Sequence, residues 1–477
     1  MAQTETRKQA LSGSAWTLFG YGGAQVIRLG SNLVLAYFLF PAAFGVMALV
    51  TVVMQGLQMF SEVGIGPAII QNRRGDDPKF LDTAWTIQVI RGFVLWFLTC
   101  ALAWPASEFF GRNDPLARDL LYILPVIGFS SVLGGFNSTA VFSLNRSLQM
   151  KAVTLLELIP QALSVAAMVL WAWLVPSVWA LVGGWLVYSV VRLPLSHWFN
   201  RPNRNRLRWD RECAGELVRF GQWIFFGTIV AFLAGSLDRI LLGKLLTLDE
   251  LGIYSIALTF ARVGVEVTTR LSNTVLFPVL AKSRDDVVTL IGQALRARGL
   301  ILLAGGALVC GFAILAPAFF RLLYDARYAA AGDIARWLSI SVWATILLST
   351  MERVPLALGH PRALFISNLL TTAGYGLAVP AYHFAGLPGF ICGIAAGSLI
   401  AHGVLLKWIP IRRGEMALQT VIYSAIYGTY ALLSISALRL LEGRVEPHWE
   451  IAAGALATLI PCAIAGYIAL KTLRAMR

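Results

Sequence analysis

A set of charged residues lies within segments of this sequence that are otherwise apolar. A charge near the middle of a bilayer costs roughly 2.5–3.5 kcal/mol on insertion scales, so such residues usually face a cavity or a partner. Most of the set are arginines, whose guanidinium stays protonated and binds an anion through two parallel hydrogen bonds. The set comprises Arg28, Glu62, Arg91, Glu157, Arg192, Arg219, Asp238, Arg239, Arg262, Glu266, Arg270, Glu352 and Arg353.

Three of these charges share one helical face. Arg262, Glu266 and Arg270 are spaced four residues apart, which aligns them along a helix and permits a charge ladder. Three charges on one face of an apolar helix indicate that the face lines water or a binding site.

Other members of the set have simpler explanations. Asp238–Arg239 and Glu352–Arg353 are neighbours of opposite charge. Neighbouring side chains on a helix diverge by roughly 100°, so we expect each to form ion pairs with other helices. Arg192 and Arg219 lie near predicted helix ends, from which long side chains reach the membrane surface.

Membrane-spanning helices are the elements that must position these residues. The chain has 477 residues, of which 57% are hydrophobic and 13% charged, against about 25% charged in an average soluble domain. Its mean hydropathy is +0.70. A spanning helix needs roughly 20 apolar residues. We therefore predict an all-α polytopic membrane protein of about 14 transmembrane helices, at 13–40, 44–70, 81–103, 119–141, 152–174, 177–199, 217–247, 251–280, 299–323, 334–357, 363–385, 388–410, 416–440 and 450–471.

The net charge of +14 indicates membrane topology rather than nucleic-acid binding. Lysine and arginine concentrate in short cytoplasmic loops. Here most basic residues, Arg296 and Arg298 among them, fall at the termini or in alternate loops on one side. This predicts cytoplasmic termini. The opposite side holds Arg112, Arg118, Lys244, Arg321, Arg327, Arg336, Arg439 and Arg444.

Short motifs recur at an offset of about 207 residues. Phe-Gly-Val-Met at 44–47 matches Leu-Gly-Ile-Tyr at 251–254. The offset predicts two parallel six-helix repeats related by a pseudo-two-fold axis along the membrane normal, an arrangement known in transporters. The predicted domains are an N-terminal six-helix bundle at 1–200, a basic cytoplasmic linker at 201–212, a C-terminal six-helix bundle at 213–411 and an extra transmembrane helix pair at 412–477.

Five segments together resemble one transporter family. They are LFPAAFG at 39–45, EVGIGPAIIQ at 62–71, DRILLG at 238–243, LGIYSIA at 251–257 and FPV at 277–279. The combination resembles the polysaccharide-transporter family, the lipid-linked oligosaccharide flippases of the multidrug/oligosaccharidyl-lipid/polysaccharide (MOP) exporter superfamily.

The resemblance implies a function by alternating access. Such proteins move undecaprenyl-pyrophosphate-linked oligosaccharide repeat units from the cytoplasmic to the periplasmic leaflet, for exopolysaccharide, lipopolysaccharide or capsule synthesis. It implies the lipid bilayer, a polysaccharide polymerase and chain-length machinery as partners.

The chemistry of the sequence suits that cargo, because arginines can replace the water that a pyrophosphate loses. Arg28, Arg91, Arg262 and Arg270 are the predicted pyrophosphate-binding residues. Residues predicted to couple an ion or to form ion pairs in the cavity are Glu62, Asp238, Arg239, Glu266, Glu352 and Arg353. Amides such as Gln58, Gln88 and Asn137 suit either sugar contacts or hydrogen bonds between helices.

No catalytic motif accompanies these residues. The sequence has no phosphate-binding loop for ATP, no nucleophile elbow and no metal-ligand spacing, so we predict neither an enzyme nor a cofactor. Two alternatives stay open. A cation-coupled multidrug exporter of the same superfamily would prefer an acidic or aromatic cavity. A membrane polymerase or acyltransferase would be expected to carry a long external loop.

Overall fold

The computed structural model describes residues 2–61, 64–72, 74–112, 114–147, 149–199, 205–441, 452–454 and 456–463. Within these ranges every regular element is a helix. The chain divides into two compact units. The first unit comprises Met1–Phe232 and Arg239–Gly252, and the second comprises Leu233–Asp238 and Ile253–Arg477.

The first unit is built from helices that pack side by side. Helix α4 packs along α5, α7 along α8, and α1 along α7. The helices are α1 (Ala2–Phe38), α2 (Pro41–Phe60), α3 (Ile65–Gln71), α4 (Pro78–Gly111), α5 (Leu120–Gly135), α6 (Ala140–Arg146), α7 (Met150–Leu174), α8 (Val178–Trp198) and most of α9 (Arg211–Leu245).

The second unit is built around α12. Helix α12 packs against α13 and α15, and α13 packs against α14. The helices are α10 (Leu248–Leu271) from Ile253 onward, α11 (Phe277–Lys282), α12 (Val287–Leu323), α13 (Ala330–Ala357), α14 (Arg362–Leu405) and α15 (Arg413–Leu441). A π-helical turn at Ser272–Leu276 separates α10 from α11. The second residue of α11 is Pro278, which has no backbone N–H to donate a hydrogen bond.

The prediction of an all-helical, multi-pass membrane chain is confirmed. Among the described residues, ten helical segments are long and apolar enough to cross a membrane. Helices α1 and α9 form where spans are predicted but are not among those ten. Half of the predicted segment 450–471 falls outside the described residues. The total of fourteen spans and the two six-helix repeats therefore stay predictions.

The structure differs from the predicted spans at two boundaries. The predicted spans 363–385 and 388–410 are joined in α14, which breaks at Ala385 and Gly386, where Gly386 has φ of 62°. The single span predicted at 44–70 is wrong, because α2 ends at Phe60 and α3 begins at Ile65. Gly64, with φ of 64°, begins α3 in the left-handed region that glycine enters without strain.

The described part of the predicted linker lies along α4. Asp82 accepts a hydrogen bond from the Arg206 amide at 2.9 Å, and Thr86 Oγ1 accepts one from the Arg208 amide at 3.0 Å. Asp210 then caps α9. The backbone amide of Cys213, with that of Glu212, holds the pKa of Asp210 below its usual range. Side chains of α4 thus fix the extended residues that lead into α9.

A fully buried arginine joins the helices of the second unit. Arg298 of α12 has no exposed surface. It donates to Thr350 of α13 at 3.3 Å and to Gln419 and Thr420 of α15 at 2.8 Å each. His402 of α14 lies 3.1 Å from the same Thr420 hydroxyl. The expectation that Arg298 lies in a cytoplasmic loop is wrong, because α12 begins twelve residues earlier than the predicted span, at Val287.

The two motifs that are 207 positions apart contact each other in the first unit. A Cβ added to Gly45 would lie 2.0 Å from the carbonyl oxygen of Leu248, and one added to Gly252 would lie 1.9 Å from that of Pro41. Pro41 and Leu248 are themselves 207 positions apart. The contact is therefore reciprocal, as in self-complementary interfaces around a two-fold axis. Asp249 adds a hydrogen bond of 2.9 Å from the Ala42 amide.

The close approach at Gly45 makes a testable prediction. Gly45→Ala should lower the free energy of unfolding by about 1–3 kcal/mol, because the new methyl group overlaps a backbone oxygen that cannot rotate away. The measurement is the thermal midpoint of the purified protein.

The matched control for this substitution is Gly22→Ala in α1, where no described atom lies within 4 Å of the added Cβ. It should leave stability unchanged or raise it by up to about 1 kcal/mol, since alanine is the better helix former. Equal midpoints for the Gly45 and Gly22 variants would contradict the reciprocal contact.

Candidate functional site

A cavity of about 530 Å³ opens within the first unit. It forms beside the α4–α5 pair, whose backbones touch: a Cβ on Gly92 would lie 2.6 Å from the Ser131 carbonyl oxygen. The lining residues come from α2, α4, α5, α6, α8 and α9 and the turn after α5. They are Gln58, Met59, Gln88, Arg91, Gly92, Leu95, Ser130, Ser131, Gly134, Gly135, Asn137, Ser138, Val141, Phe142, Arg192 and Thr228.

Arg91 of α4 is held in the cavity wall by the end of α2. Its Nε donates to Ser61 Oγ at 2.9 Å, and its NH2 group donates to the Gln58 carbonyl oxygen at 2.8 Å. Helix C-termini leave carbonyl groups without partners and carry a partial negative charge. The Arg91 guanidinium therefore caps the C-terminus of α2, and these hydrogen bonds orient it before any ligand binds.

Arg192 of α8 lies in the wall of the same cavity and is missing from the predicted binding residues. It donates to the Tyr188 hydroxyl at 3.0 Å and lies 5.7 Å from the centre of that ring. Its buried Nε has no hydrogen-bond partner among the described atoms. The signal in the sequence is the spacing Tyr188–Arg192, which places an aromatic ring under a guanidinium on one helical face.

The uncharged polar groups of the cavity fall into two kinds. Gln88 donates to the carbonyl oxygens of Gly134, Gly135 and Asn137 at 3.0–3.2 Å, so it performs the helix-joining role that the sequence left open. Asn137 Oδ1 and Ser131 Oγ are buried without a hydrogen-bond partner in the described part of the chain. Buried polar groups are nearly always bonded, so these two acceptors suit a ligand or water.

The described lining of the cavity carries positive charge. It includes two arginines and neither aspartate nor glutamate. Hydrophobic side chains, Met59, Leu95, Val141 and Phe142, complete the wall. Such a surface can bind an anion that also carries hydroxyl groups and apolar faces. Across the described residues, no cluster of His, Cys, Asp and Glu could hold a metal ion.

One of the four predicted pyrophosphate-binding arginines, Arg91, lines this cavity. Arg28 of α1 is partly buried and is not among the lining residues; its carbonyl oxygen accepts bonds from Ser31 and Asn32. Arg262 and Arg270 belong to the second unit. Glu62 lies outside the described residues.

In the second unit, Asp238 is the centre of a buried polar group. It accepts a hydrogen bond from the Tyr254 hydroxyl at 3.0 Å and lies 3.8 Å from the guanidinium of Arg262. Arg262 also donates to the Gly235 carbonyl oxygen at 2.9 Å. The expectation that Asp238 pairs with another helix is confirmed, because Tyr254 and Arg262 belong to α10.

The remaining predicted charges are distributed along the helices. Glu352 of α13 accepts a hydrogen bond of 2.6 Å from Ser367 of α14, while the neighbouring Arg353 is partly buried. Glu266, Arg270 and Arg239 are also partly buried. Arg270 lies two residues before the π-helical turn that separates α10 from α11.

Comparison with known proteins identifies relatives in polysaccharide synthesis. The family model described as polysaccharide biosynthesis protein matches residues 34–332, more than half of the chain. The lipopolysaccharide biosynthesis protein WzxC of Escherichia coli (strain K12) is 25% identical over 287 residues, covering 59% of this chain and 56% of WzxC. The teichuronic acid biosynthesis protein TuaB of Bacillus subtilis (strain 168) is 21% identical over 328 residues, covering 68% and 66%.

A third relative is the amylovoran biosynthesis protein AmsL of Erwinia amylovora, 23% identical over 274 residues that cover 56% of this chain and 68% of AmsL. The matches to WzxC and TuaB thus span less than two thirds of those proteins.

Solved structures establish the fold. The lipid II flippase MurJ in an inward closed conformation matches with a TM-score of 0.67 at 14% identity, covering 95% of this chain and 98% of that one.

An inward-facing multidrug resistance MATE family transporter of the MOP superfamily matches with a TM-score of 0.64 at 16% identity, covering 82% and 95%. The sequence resemblance is therefore confirmed, and the fold is that of these transporters. The chain belongs to the polysaccharide biosynthesis protein family.

Proposed function

We propose that this protein flips undecaprenyl-pyrophosphate-linked oligosaccharide repeat units from the cytoplasmic to the periplasmic leaflet of the inner membrane by alternating access. The observation that carries the proposal is the cavity of the first unit, in which Arg91 and Arg192 share a wall with buried acceptors that have no described partner. The names of the relatives, which refer to lipopolysaccharide, amylovoran and teichuronic acid biosynthesis, support the same substrate class.

The pyrophosphate is the most difficult part of this cargo to move. It brings negative charge into a low-dielectric region, where an unpaired ion is costly. Guanidinium groups offset that cost because they stay protonated and bind phosphate oxygens in pairs. Arg91 is already oriented by Ser61 and Gln58, so binding an anion requires little further ordering of its side chain.

The sugar part needs hydroxyl partners and flat apolar surfaces. Asn137 Oδ1 and Ser131 Oγ accept hydrogen bonds from hydroxyl groups, and Phe142 with Met59 offers apolar contact. The cavity volume of about 530 Å³ lies within the range of roughly 300–1,000 Å³ that is usual for small-molecule sites. The cavity suits a pyrophosphate with its first sugars.

The alternatives fit these observations less well. An exporter of organic cations needs acidic partners, and the described lining of this cavity carries two arginines and no carboxylate. A polymerase or acyltransferase needs reacting side chains in the cavity, and the lining offers arginine, amide and hydroxyl groups instead. We therefore propose a transporter that is not an enzyme.

The full proposal includes the predicted organisation of the chain. It comprises cytoplasmic termini, two six-helix repeats within fourteen spans, and the domains 1–200, 201–212, 213–411 and 412–477. The reciprocal contact of Gly45 and Gly252 supports the repeat. A polysaccharide polymerase and chain-length machinery would receive the product.

Further charged residues have proposed roles beyond this cavity. Arg28, Arg262 and Arg270 are proposed as further pyrophosphate-binding residues. Coupling to an ion or pairing of charges during transport is proposed for Glu62, Asp238, Arg239, Glu266, Glu352 and Arg353. Of these, Asp238 is engaged with Tyr254 and Arg262, which suits an ion pair better than an ion carrier.

The cationic wall makes the first prediction on transport. Arg91→Gln and Arg192→Gln should each reduce flipping of a lipid-linked oligosaccharide in proteoliposomes by roughly 10- to 100-fold, because a hydrogen bond between charged groups contributes about 1.5–3 kcal/mol. In cells, unpolymerised lipid-linked units should accumulate in the cytoplasmic leaflet.

The control is Arg219→Gln in α9, which removes an exposed arginine that is not among the cavity residues and should keep wild-type transport. Membrane insertion is checked by the amount of folded protein in detergent extracts. Full transport by both cavity variants would disprove the role of the cationic wall.

Removal of the buried hydroxyl of Ser131 is expected to reduce transport without reducing stability. Ser131→Ala should leave the unfolding free energy unchanged or raise it by up to about 1 kcal/mol, because it removes a buried hydroxyl without a described partner. Transport should fall by roughly 2- to 10-fold through loss of one hydrogen bond to the sugar.

The matched control is Ser164→Ala in α7, whose hydroxyl donates to the Gly184 carbonyl oxygen at 2.7 Å. This change should lower stability by about 1 kcal/mol and leave transport per folded molecule intact. If Ser131→Ala instead loses stability and keeps transport, its hydroxyl serves the fold rather than the cargo.

A further inference from the structure

A second cavity, of about 420 Å³, lies within the second unit and shares no lining residue with the cavity of the first unit. Three arginines line it: Arg321 near the end of α12, Arg336 in α13 and Arg439 near the end of α15. The start of α13 lies close against α12, since a Cβ on Gly332 would come within 2.6 Å of Pro317. Packing of α12, α13 and α15 thus gathers these arginines around one opening.

The described lining of this cavity holds more basic than acidic residues. Asp333 is the one acidic residue among its described lining, and it lies 3.4 Å from the guanidinium of Arg336. Arg336 also donates to the Ala313 carbonyl oxygen at 3.4 Å, which fixes its position. With Arg321 and Arg439, the described lining holds three arginines and one aspartate.

The position of these arginines is unusual for a membrane protein. The distribution of basic residues predicts that Arg321, Arg336 and Arg439 lie on the outer side, where lysine and arginine are normally sparse. Three arginines that converge on that side run against the topological preference, so a ligand is a better explanation than membrane orientation.

We propose that this cavity binds the phosphate group of an anionic ligand at the outer face of the second unit. Arginine binds phosphate through paired hydrogen bonds. Arg336 of α13 contacts Asp333, whereas Arg321 and Arg439 come from α12 and α15. Ile435 and Leu438 of α15 line the same cavity and provide apolar contact. A phospholipid headgroup would supply both phosphate and chain, whereas a free phosphate would use the arginines alone.

The test uses the purified full-length protein in a neutral detergent. Four probes are titrated: short-chain phosphatidylglycerol, short-chain phosphatidylcholine, inorganic phosphate and pyrophosphate. Binding is measured by native mass spectrometry and by the shift of the thermal midpoint. We expect phosphatidylglycerol to bind at least tenfold more tightly than phosphatidylcholine, because only the former carries net negative charge.

The variants are Arg321→Gln and Arg439→Gln, each expected to weaken binding by about tenfold or more. The control is Arg327→Gln, an arginine of the same region that is bonded to Asp325 at 3.1 Å and does not line the cavity. It should bind the probes like the wild type. Both cavity variants leave the Arg336–Asp333 contact in place, and the thermal midpoint of each variant without a probe checks its folding.

The outcomes separate the two sources of phosphate. Binding of phosphatidylglycerol without binding of the inorganic anions identifies a lipid headgroup as the ligand. Binding of phosphate or pyrophosphate, lost in the same variants, identifies the phosphate group itself. Equal binding of the two lipids with no binding of the inorganic anions, equal loss in Arg327→Gln, or no effect of either cavity variant would overturn the proposal. None of these results depends on transport, so the site stands or falls separately from the proposed function.

Discussion

Hydrocarbon offers no hydrogen bonds, and this constraint governs the structure at every level. Backbone groups must bond within the chain, which accounts for a described fold made of helices. Side-chain charges obey the same rule. Arg298 is enclosed and satisfied by neutral oxygens of neighbouring helices, so it joins them. Arg91 uses the carbonyl end of α2 but lies beside open space. Function is therefore expected where satisfaction is incomplete, as at Asn137 and Ser131.

The sequence predicts helices well and their environment poorly, for a physical reason. The length of an apolar segment indicates whether the segment can lie inside a membrane, and Gly386 marks the break between two such segments. The length does not indicate which residues surround a charged side chain. Arg298 follows other charges and therefore has the pattern of a loop, although Thr350, Gln419 and Thr420 make its burial favourable. Arg91 was predictable from its depth, whereas the place of Arg192 in the cavity wall depends on the packing of α8 against α5.

The family and the fold constrain the function to different degrees. Membership rests on a match over residues 34–332, whereas the similarity to MurJ and a MATE transporter, at 14% and 16% identity, establishes the architecture alone. Selectivity must therefore come from side chains placed on a shared framework. In the first unit those side chains are guanidinium, amide and hydroxyl groups, a combination that attracts an anion and binds hydroxyl-bearing ligands.

The reciprocal corner of the first unit has a consequence for how this sequence can change over time. Gly45 lies against the backbone of Leu248, and Gly252 lies against the backbone of Pro41. A side chain added at either glycine would therefore push apart the same two helix ends, the starts of α2 and α10. Most positions can accept a new side chain if their own neighbours make room for it. At this corner each glycine lies in the surroundings of the other, so a side chain that is tolerated at one position depends on what stands at the other.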